Sequence, residues 1–225
     1  MINKICSTAQ DAVRDVADGA TIAIGGFGGA GMPNELIDAL IEQGAKDLVV
    51  VSNNAGNGDF GLAALLRERR VRKLICSFPR QKDAYAFEAL YRAGQIELEV
   101  VPQGTLAERL RAAGCGIGAF YTPTGFGTML AENKETRRID ERDFVLEYPI
   151  HVDFSLVNAK SADRWGNLIY NKTARNFAPV MAMAAKTTVA AVSQVCALGE
   201  LDPETIVTPG IFVNRVVLRG SRRTH

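Results

Sequence analysis

Short, almost purely apolar runs alternate along this chain with stretches whose apolar positions recur at helical spacing. Ser7-Thr-Ala-Gln10 has the form of a capping box and predicts a helix to about Val16. Asp18-Gly19 predicts a turn, Ala20–Ile24 a short strand, and Pro33 to Ile41 a helix stopped by Gly44. Leu48–Ser52 is nearly all valine and leucine, as a strand covered on both faces should be. A helix near Phe60–Arg69, a strand Val71–Cys76, a helix Ala84–Arg92 ended by Gly94 and a strand Ile96–Val101 continue the alternation. Thr105-Leu-Ala-Glu108 reads as a second capping box, opening a helix to Ala113. After Gly114 the pattern changes to strands at Phe144–Glu147, Val152–Asn158 and Leu168–Tyr170, the last two joined by a hairpin turn at Trp165-Gly-Asn167. A short helix near Ala178–Ala185 and strands Thr188–Val195 and Phe212–Leu218 complete the chain.

Regular βα alternation predicts an α/β fold: an open, largely parallel sheet with helices on both faces. With no repeat, low-complexity tract or linker, residues 1–225 read as a single domain. In such sheets ligands collect at the loops leaving the C-terminal ends of the strands.

Composition narrows the picture by exclusion. Lys+Arg is 26 against Asp+Glu 25, so nothing in the balance points to nucleic acid or an anionic membrane. The one dense basic run, Arg67, Arg69, Arg70, Arg72 and Lys73, falls between a predicted helix and strand and reads as a solvated turn. Cys6, Cys76, Cys115 and Cys196 are far apart, with no CxxC, which suits a reducing cytoplasmic setting and not a disulfide framework. The longest apolar region, Phe177 to Val195, is interrupted by Lys186, two threonines and Gln194, against a spanning helix, and the N-terminus carries no signal-peptide pattern. Only His151 and His225 are present, too little for a histidine metal site or a Ser–His–Asp triad.

Four predicted strand-end loops could carry chemistry. Gly25-Gly-Phe-Gly-Gly-Ala-Gly-Met-Pro33 has five glycines in seven residues, leaving backbone amides open to a bulky or anionic ligand ahead of a helix N-terminus. A plain strand-to-helix turn would need only one glycine. Gly26 to Gly31 also satisfies GxGxxG, but the next strand ends Val51-Ser-Asn-Asn54 without the acidic residue that a dinucleotide ribose requires. The second loop, Ser52 to Asp59, places neutral amides at a strand end; Asn53 either donates to a developing oxyanion or makes an Asx turn. Gln103, in Pro102-Gln-Gly-Thr105, is either a ligand-reaching residue or a surface one. Tyr121-Thr-Pro-Thr-Gly-Phe-Gly-Thr128 has the prolines and glycines of a rigid wall.

Taken in order, these segments resemble the A chain of the 3-oxoacid CoA-transferase family. Gly25-Gly-Phe-Gly, Gly31-Met-Pro33, Ser52-Asn-Asn-Ala-Gly56, Pro102-Gln-Gly-Thr-Leu-Ala-Glu-Arg109, Tyr121-Thr-Pro-Thr-Gly125 and Ala174-Arg-Asn-Phe177 carry the likeness from about Asp11 to Leu218. Ser77-Phe-Pro-Arg80, Leu90-Tyr-Arg-Ala-Gly94, Asp163-Arg-Trp-Gly166 and Met181-Ala-Met-Ala-Ala-Lys186 are most similar to the bacterial members acting on 3-oxoadipate, in aromatic-compound degradation. The ketone-body enzymes differ after the third strand.

The resemblance implies transfer of coenzyme A from succinyl-CoA to 3-oxoadipate through a glutamyl-CoA intermediate. In the family that glutamate lies on a B subunit, in a Ser-Glu-Asn-Gly setting. Here Ala131-Glu-Asn-Lys134 lacks the glycine and aligns with a different stretch, so Glu132 is not expected to be the nucleophile. The implied share of this chain is a CoA border made by Gly25, Gly26, Phe27, Gly28, Gly29, Ala30 and Gly31, and an oxyanion donor, Asn53. Asn54 and Gln103 are implied as pocket-lining residues. Arg80 is a candidate partner for the second carboxylate of a dicarboxylic acid, because burying that charge demands a cation. No metal or permanent cofactor is expected. A partner B subunit is expected, in a heterodimer or an A2B2 assembly. An acetoacetate-type transferase chain, and an open-sheet enzyme binding nucleotides or sugar phosphates, are the rival readings.

Overall fold

The computed structural model describes residues 1–80 and 82–220. Its core is a nine-stranded sheet. In chain order its strands are β1 (Ile5–Cys6), β2 (Thr21–Ile24), β3 (Leu48–Val51), β4 (Val71–Cys76), β5 (Glu97–Val100), β9 (Val152–Asp163), β10 (Leu168–Ile169), β11 (Ala185–Cys196) and β12 (Arg215–Leu218). They are arranged β1-β12-β11-β9-β2-β3-β4-β5, every neighbouring pair parallel, with β10 antiparallel beside the end of β9. The chain runs outward from β2 to β5 on one side and from β9 to β12 on the other. The order therefore switches between β2 and β9, the crevice where open sheets bind ligands.

Side chains alternate across the strands with period two. Ile22, Ile24, Val50, Leu74 and Cys76 join one buried cluster with α1 (Ala9–Val13), α2 (Asn34–Gln43), α3 (Leu62–Arg67) and α4 (Tyr85–Arg92). Ala23, Val49, Val51 and Ile75 join a second, on the opposite face, with α5 (Gln103–Cys115) and α6 (Ala178–Ala184). Helices thus cover both faces, as the alternation predicts. Among the described residues no helix is long and apolar enough to cross a membrane.

Several predicted boundaries move for identifiable reasons. Thr8, not Ser7, caps α1, its hydroxyl accepting from Asp11 N at 3.0 Å. α5 starts at Gln103 with Pro102 as its N-cap, so Thr105 lies inside the helix and is not its cap. Gly114 does not stop α5: a Cβ there would lie 2.4 Å from the Met183 side chain, so this glycine lets α5 sit close on α6. Gly116, at φ 70°, ends the helix instead. β9 runs five residues past Asn158 despite the polar Asn158, Lys160 and Ser161. The residues Gly210–Phe212 form a 3₁₀ turn ahead of β12. The basic run is less free than expected: Arg70 donates to Gly44 O at 2.6 Å and Arg72 to Asp47 O at 3.1 Å, while Lys73 pairs with Glu97 and Glu99.

The predicted strand Phe144–Glu147 lies within a small second sheet whose other two strands the sequence pattern does not show. β6 (Phe120–Thr122), β7 (Thr136–Ile139) and β8 (Arg142–Glu147) form a small antiparallel sheet in the order β6-β8-β7. Every residue of β7 is exposed, so it has no apolar alternation to betray it. Its turn uses Asp140 and Glu141, both at positive φ, instead of the Asn-Gly that usually signals a hairpin. Arg109 ties this sheet to the main one, pairing with Glu147 of β8 at 3.8 Å and Glu99 of β5 at 3.1 Å, while Lys134 pairs with Glu147 at 2.6 Å within the small sheet's own segment.

Candidate active site

β2, at the switch point, ends in the glycine loop, and Gly25 N donates to Leu156 O of β9 at 2.9 Å. The loop is a miniature hairpin. Phe27 and Ala30 exchange backbone hydrogen bonds of 3.0 and 3.1 Å, leaving Gly28 and Gly29 at the tip. The glycines serve different ends. Gly26, Gly28 and Gly31 sit at positive φ, where side chains are disfavoured. Gly31 is also packed: a Cβ would lie 2.3 Å from Ala174 O and 2.7 Å from Asn176 Nδ2. Gly29 has neither constraint, since its φ is not positive and a Cβ would meet nothing within 4 Å. Nothing inside the fold demands a glycine there. A bare backbone at the tip suits close approach by something outside it.

Two strand ends then bring Asn53 and Gln103 together. Gln103, at the first position of α5, donates its side-chain amide to Asn53 Oδ1 at 2.8 Å. Asn53 is 2% exposed, and its carbonyl accepts from Ser77 N at 3.2 Å and Phe78 N at 3.0 Å. Both its backbone and its side-chain oxygen are fixed, which leaves Nδ2 as the group able to donate elsewhere; it makes no hydrogen bond among the described residues. Around the pair, the hydroxyls of Ser52, Ser77 and Thr105 are buried without a partner among the described residues. Leaving such a group unmet costs about 1–3 kcal/mol each.

The other candidate residues separate. Asn54 is fully buried; its Oδ1 accepts from Gly56 N at 2.9 Å in an Asx turn that shapes the loop, and its Nδ2 is buried without a partner among the described residues. Arg80 is exposed and lies in a groove of about 280 Å³ with Pro79, Phe87, Tyr91 and Leu98 on the α4 face of the sheet. Gln103 begins a helix on the opposite face of the sheet. Glu132 is exposed just after the 3₁₀ turn Met129–Ala131. Among the described residues no group of acidic, histidine or cysteine side chains could hold a metal ion. Cys76, close to the site in sequence, is fully buried, and burial pushes its thiol up to about 12.

One site residue escaped the reading of loops because it lies 150 positions from the loop that it touches. Asn176 Oδ1 accepts from Gly26 N at 3.2 Å and from Phe177 N at 2.7 Å; its Nδ2 donates to Ala30 O at 3.0 Å and Ala174 O at 3.1 Å. Only its place in the Ala174-Arg-Asn-Phe177 segment marked it in the sequence.

A glycine loop at a parallel sheet's switch point, beside a fixed neutral amide pair, defines an open-sheet α/β protein built to handle a ligand at its strand ends. Residues 6–219 match the family described as Coenzyme A transferase, and the chain belongs to that family. It is 66% identical over 217 residues to the A subunit of 3-oxoadipate CoA-transferase from Pseudomonas putida, covering 96% of this chain and 94% of that protein. It is 48% identical over 221 residues to the A subunit of a probable succinyl-CoA:3-ketoacid coenzyme A transferase from Bacillus subtilis, covering 98% and 92%. An acyl-CoA transferase of Escherichia coli O157:H7, seen as a thioester complex with CoA, shares the fold with a TM-score of 0.84 at 22% identity. That match covers 97% of this chain and 50% of the other, so this chain spans half its length. Glutaconate coenzyme A-transferase from Acidaminococcus fermentans matches with a TM-score of 0.83 at 22% identity, over 96% of this chain and 75% of that one.

Proposed function

We propose that this chain is the A subunit of an enzyme that exchanges CoA between succinyl-CoA and 3-oxoadipate, complete only with a B subunit. The 66% identity to the Pseudomonas putida protein over nearly the whole of both chains carries this reading. A nucleophilic carboxylate on the partner attacks the thioester carbonyl, and the tetrahedral oxyanion collapses to a mixed anhydride and CoA thiolate. The thiolate attacks the enzyme's carbonyl of that anhydride, leaving CoA on the glutamate and releasing succinate. The acceptor acid reverses both steps.

In this scheme Asn53 Nδ2 donates to the oxyanion, with Gln103 holding the amide so that nitrogen, not oxygen, faces it. A neutral donor stabilises the oxyanion without trapping the carboxylate nucleophile in an ion pair. The glycine loop borders the CoA ester, Phe27 and Ala30 through their backbones and Gly29 through its lack of a side chain. Ser52 and Ser77 complete the polar wall, and Asn54 acts through the turn. The four free cysteines suit a reducing, cytoplasmic setting. A and B chains combine as a heterodimer or as A2B2.

Turnover of succinyl-CoA with 3-oxoadipate is expected from the chain co-expressed with a B chain, and none from this chain alone. Robust turnover by the isolated chain would overturn the reading. Comparing kcat/KM for 3-oxoadipate with that for acetoacetate separates it from the acetoacetate-type alternative.

A further inference from the structure

Asn176 occupies a backbone position that suits glycine. Its φ is 26° and ψ −119°, outside the regions that side-chain-bearing residues favour, just after the 3₁₀ turn Lys172–Arg175. The asparagine there has a side-chain amide that is fully engaged, by the four hydrogen bonds given above. Two of them grip the glycine loop on either side of its hairpin, at Gly26 N and Ala30 O. Gly31, with no Cβ, is what lets the loop lie against Asn176 Nδ2 and Ala174 O. The strain and the missing side chain belong to one contact.

We propose that Asn176 is a positioning residue for CoA transfer, clamping loop 25–31 against the switch point so that its tip is held where the CoA ester lies. This rests on the reading that the loop borders the ester. A carboxamide is required, because the clamp uses an acceptor toward Gly26 and Phe177 and a donor toward Ala30 and Ala174. Aspartate would turn an oxygen toward two carbonyl oxygens and lose the donor half.

The test uses the assembled two-subunit enzyme. Asn176→Gly tolerates the positive φ better than asparagine, so the fold should persist, with a thermal midpoint lowered by a few degrees at most. Its KM for succinyl-CoA should rise roughly tenfold, the scale of one or two lost hydrogen bonds, while the KM for 3-oxoadipate changes less than about twofold. Asn176→Asp, which keeps only the acceptor half, should fail similarly and so distinguish carboxamide chemistry from mere bulk. Gly31→Ala pushes on the same contact from the other side, so its effect on the ester KM should be less than additive with Asn176→Gly. Unchanged kinetics in Asn176→Gly, or equal rises in both KM values with a thermal midpoint lowered by more than a few degrees, would overturn the proposal. Gly29→Val separates it from the reading beneath: if Gly29→Val alone raises the ester KM, the loop borders the ester and the clamp is wrong. If Asn176→Gly alone does so, Asn176 positions the site and the loop tip does not border the ester.

Discussion

Gln103 Nε2 and Asn53 Oδ1 meet at 2.8 Å, joining the start of α5 to the end of β3 across fifty residues of sequence. The bond decides which end of the Asn53 amide is free. With Oδ1 occupied, the group left to face a developing negative charge is a donor.

Removing Asn53 should therefore cost turnover more than affinity. Asn53→Ala is expected to lower kcat by about a hundredfold to a thousandfold, as loss of an oxyanion donor does, with a small change in KM for succinyl-CoA. Gln103→Leu should lower kcat by about tenfold, because Asn53 keeps its donor but loses its anchor. If the two act as a unit, the double variant should be no slower than Asn53→Ala. Additive losses in steady-state kinetics would separate their roles.

The glycine loop offers a contrast within five residues. Gly31→Ala puts a Cβ 2.3 Å from a backbone oxygen at positive φ, so thermal denaturation should show a loss of roughly 1–3 kcal/mol. Gly29→Val meets open space and should unfold at the wild-type temperature while raising the KM for the CoA ester. Gly28 is less informative despite equal space, because its φ of 59° strains any side chain.

Arg80 lines a groove with Phe87 and Tyr91 of α4, whereas Gln103 starts a helix on the other face of the sheet. Arg80→Met should leave the ratio of kcat/KM for 3-oxoadipate to that for acetoacetate within about twofold. A selective loss for the dicarboxylate, on the order of 1.5–3 kcal/mol for a charge-assisted pair, would restore Arg80 to substrate binding.

Acid should loosen the join between the two sheets. Burial opposes the charge on Glu99, but hydrogen bonds from Lys73 and Arg109 outweigh it and hold the carboxyl below the usual glutamate range. A depressed folded-state pKa contributes stability that is complete above the unfolded value, near 4.3, and is lost as pH falls through the folded one. Glu99→Gln should thus lower the thermal midpoint at pH 7, with the gap to wild type closing between about pH 5 and pH 3. A gap that persists unchanged at pH 3 would assign the effect to packing.

The parts of this protein legible in the sequence are those fixed by local chemistry. Val71–Cys76 falls where its apolar run places it, and Pro33 and Gly44 bound α2 because ring geometry and a left-handed cap act within one turn. The parallel sheet follows from the same alternation, since a parallel strand pair needs a crossover and the helices between strands supply it. Tertiary structure decided what local pattern cannot carry. Gly114 looks like a helix stop and is a packing contact, because what it touches is Met183 on another helix. β7 is held by partners rather than by its own side chains. Gln103, fifty residues away, meets the Asn53 side-chain oxygen only because the end of β3 and the start of α5 lie side by side. Asn176 reaches the glycine loop because β9 pairs with β2 and carries residues 171–177 around to it. Hydrogen bonds between residues so distant exist only once the sheet has set its strand order, and that order is a property of the whole chain.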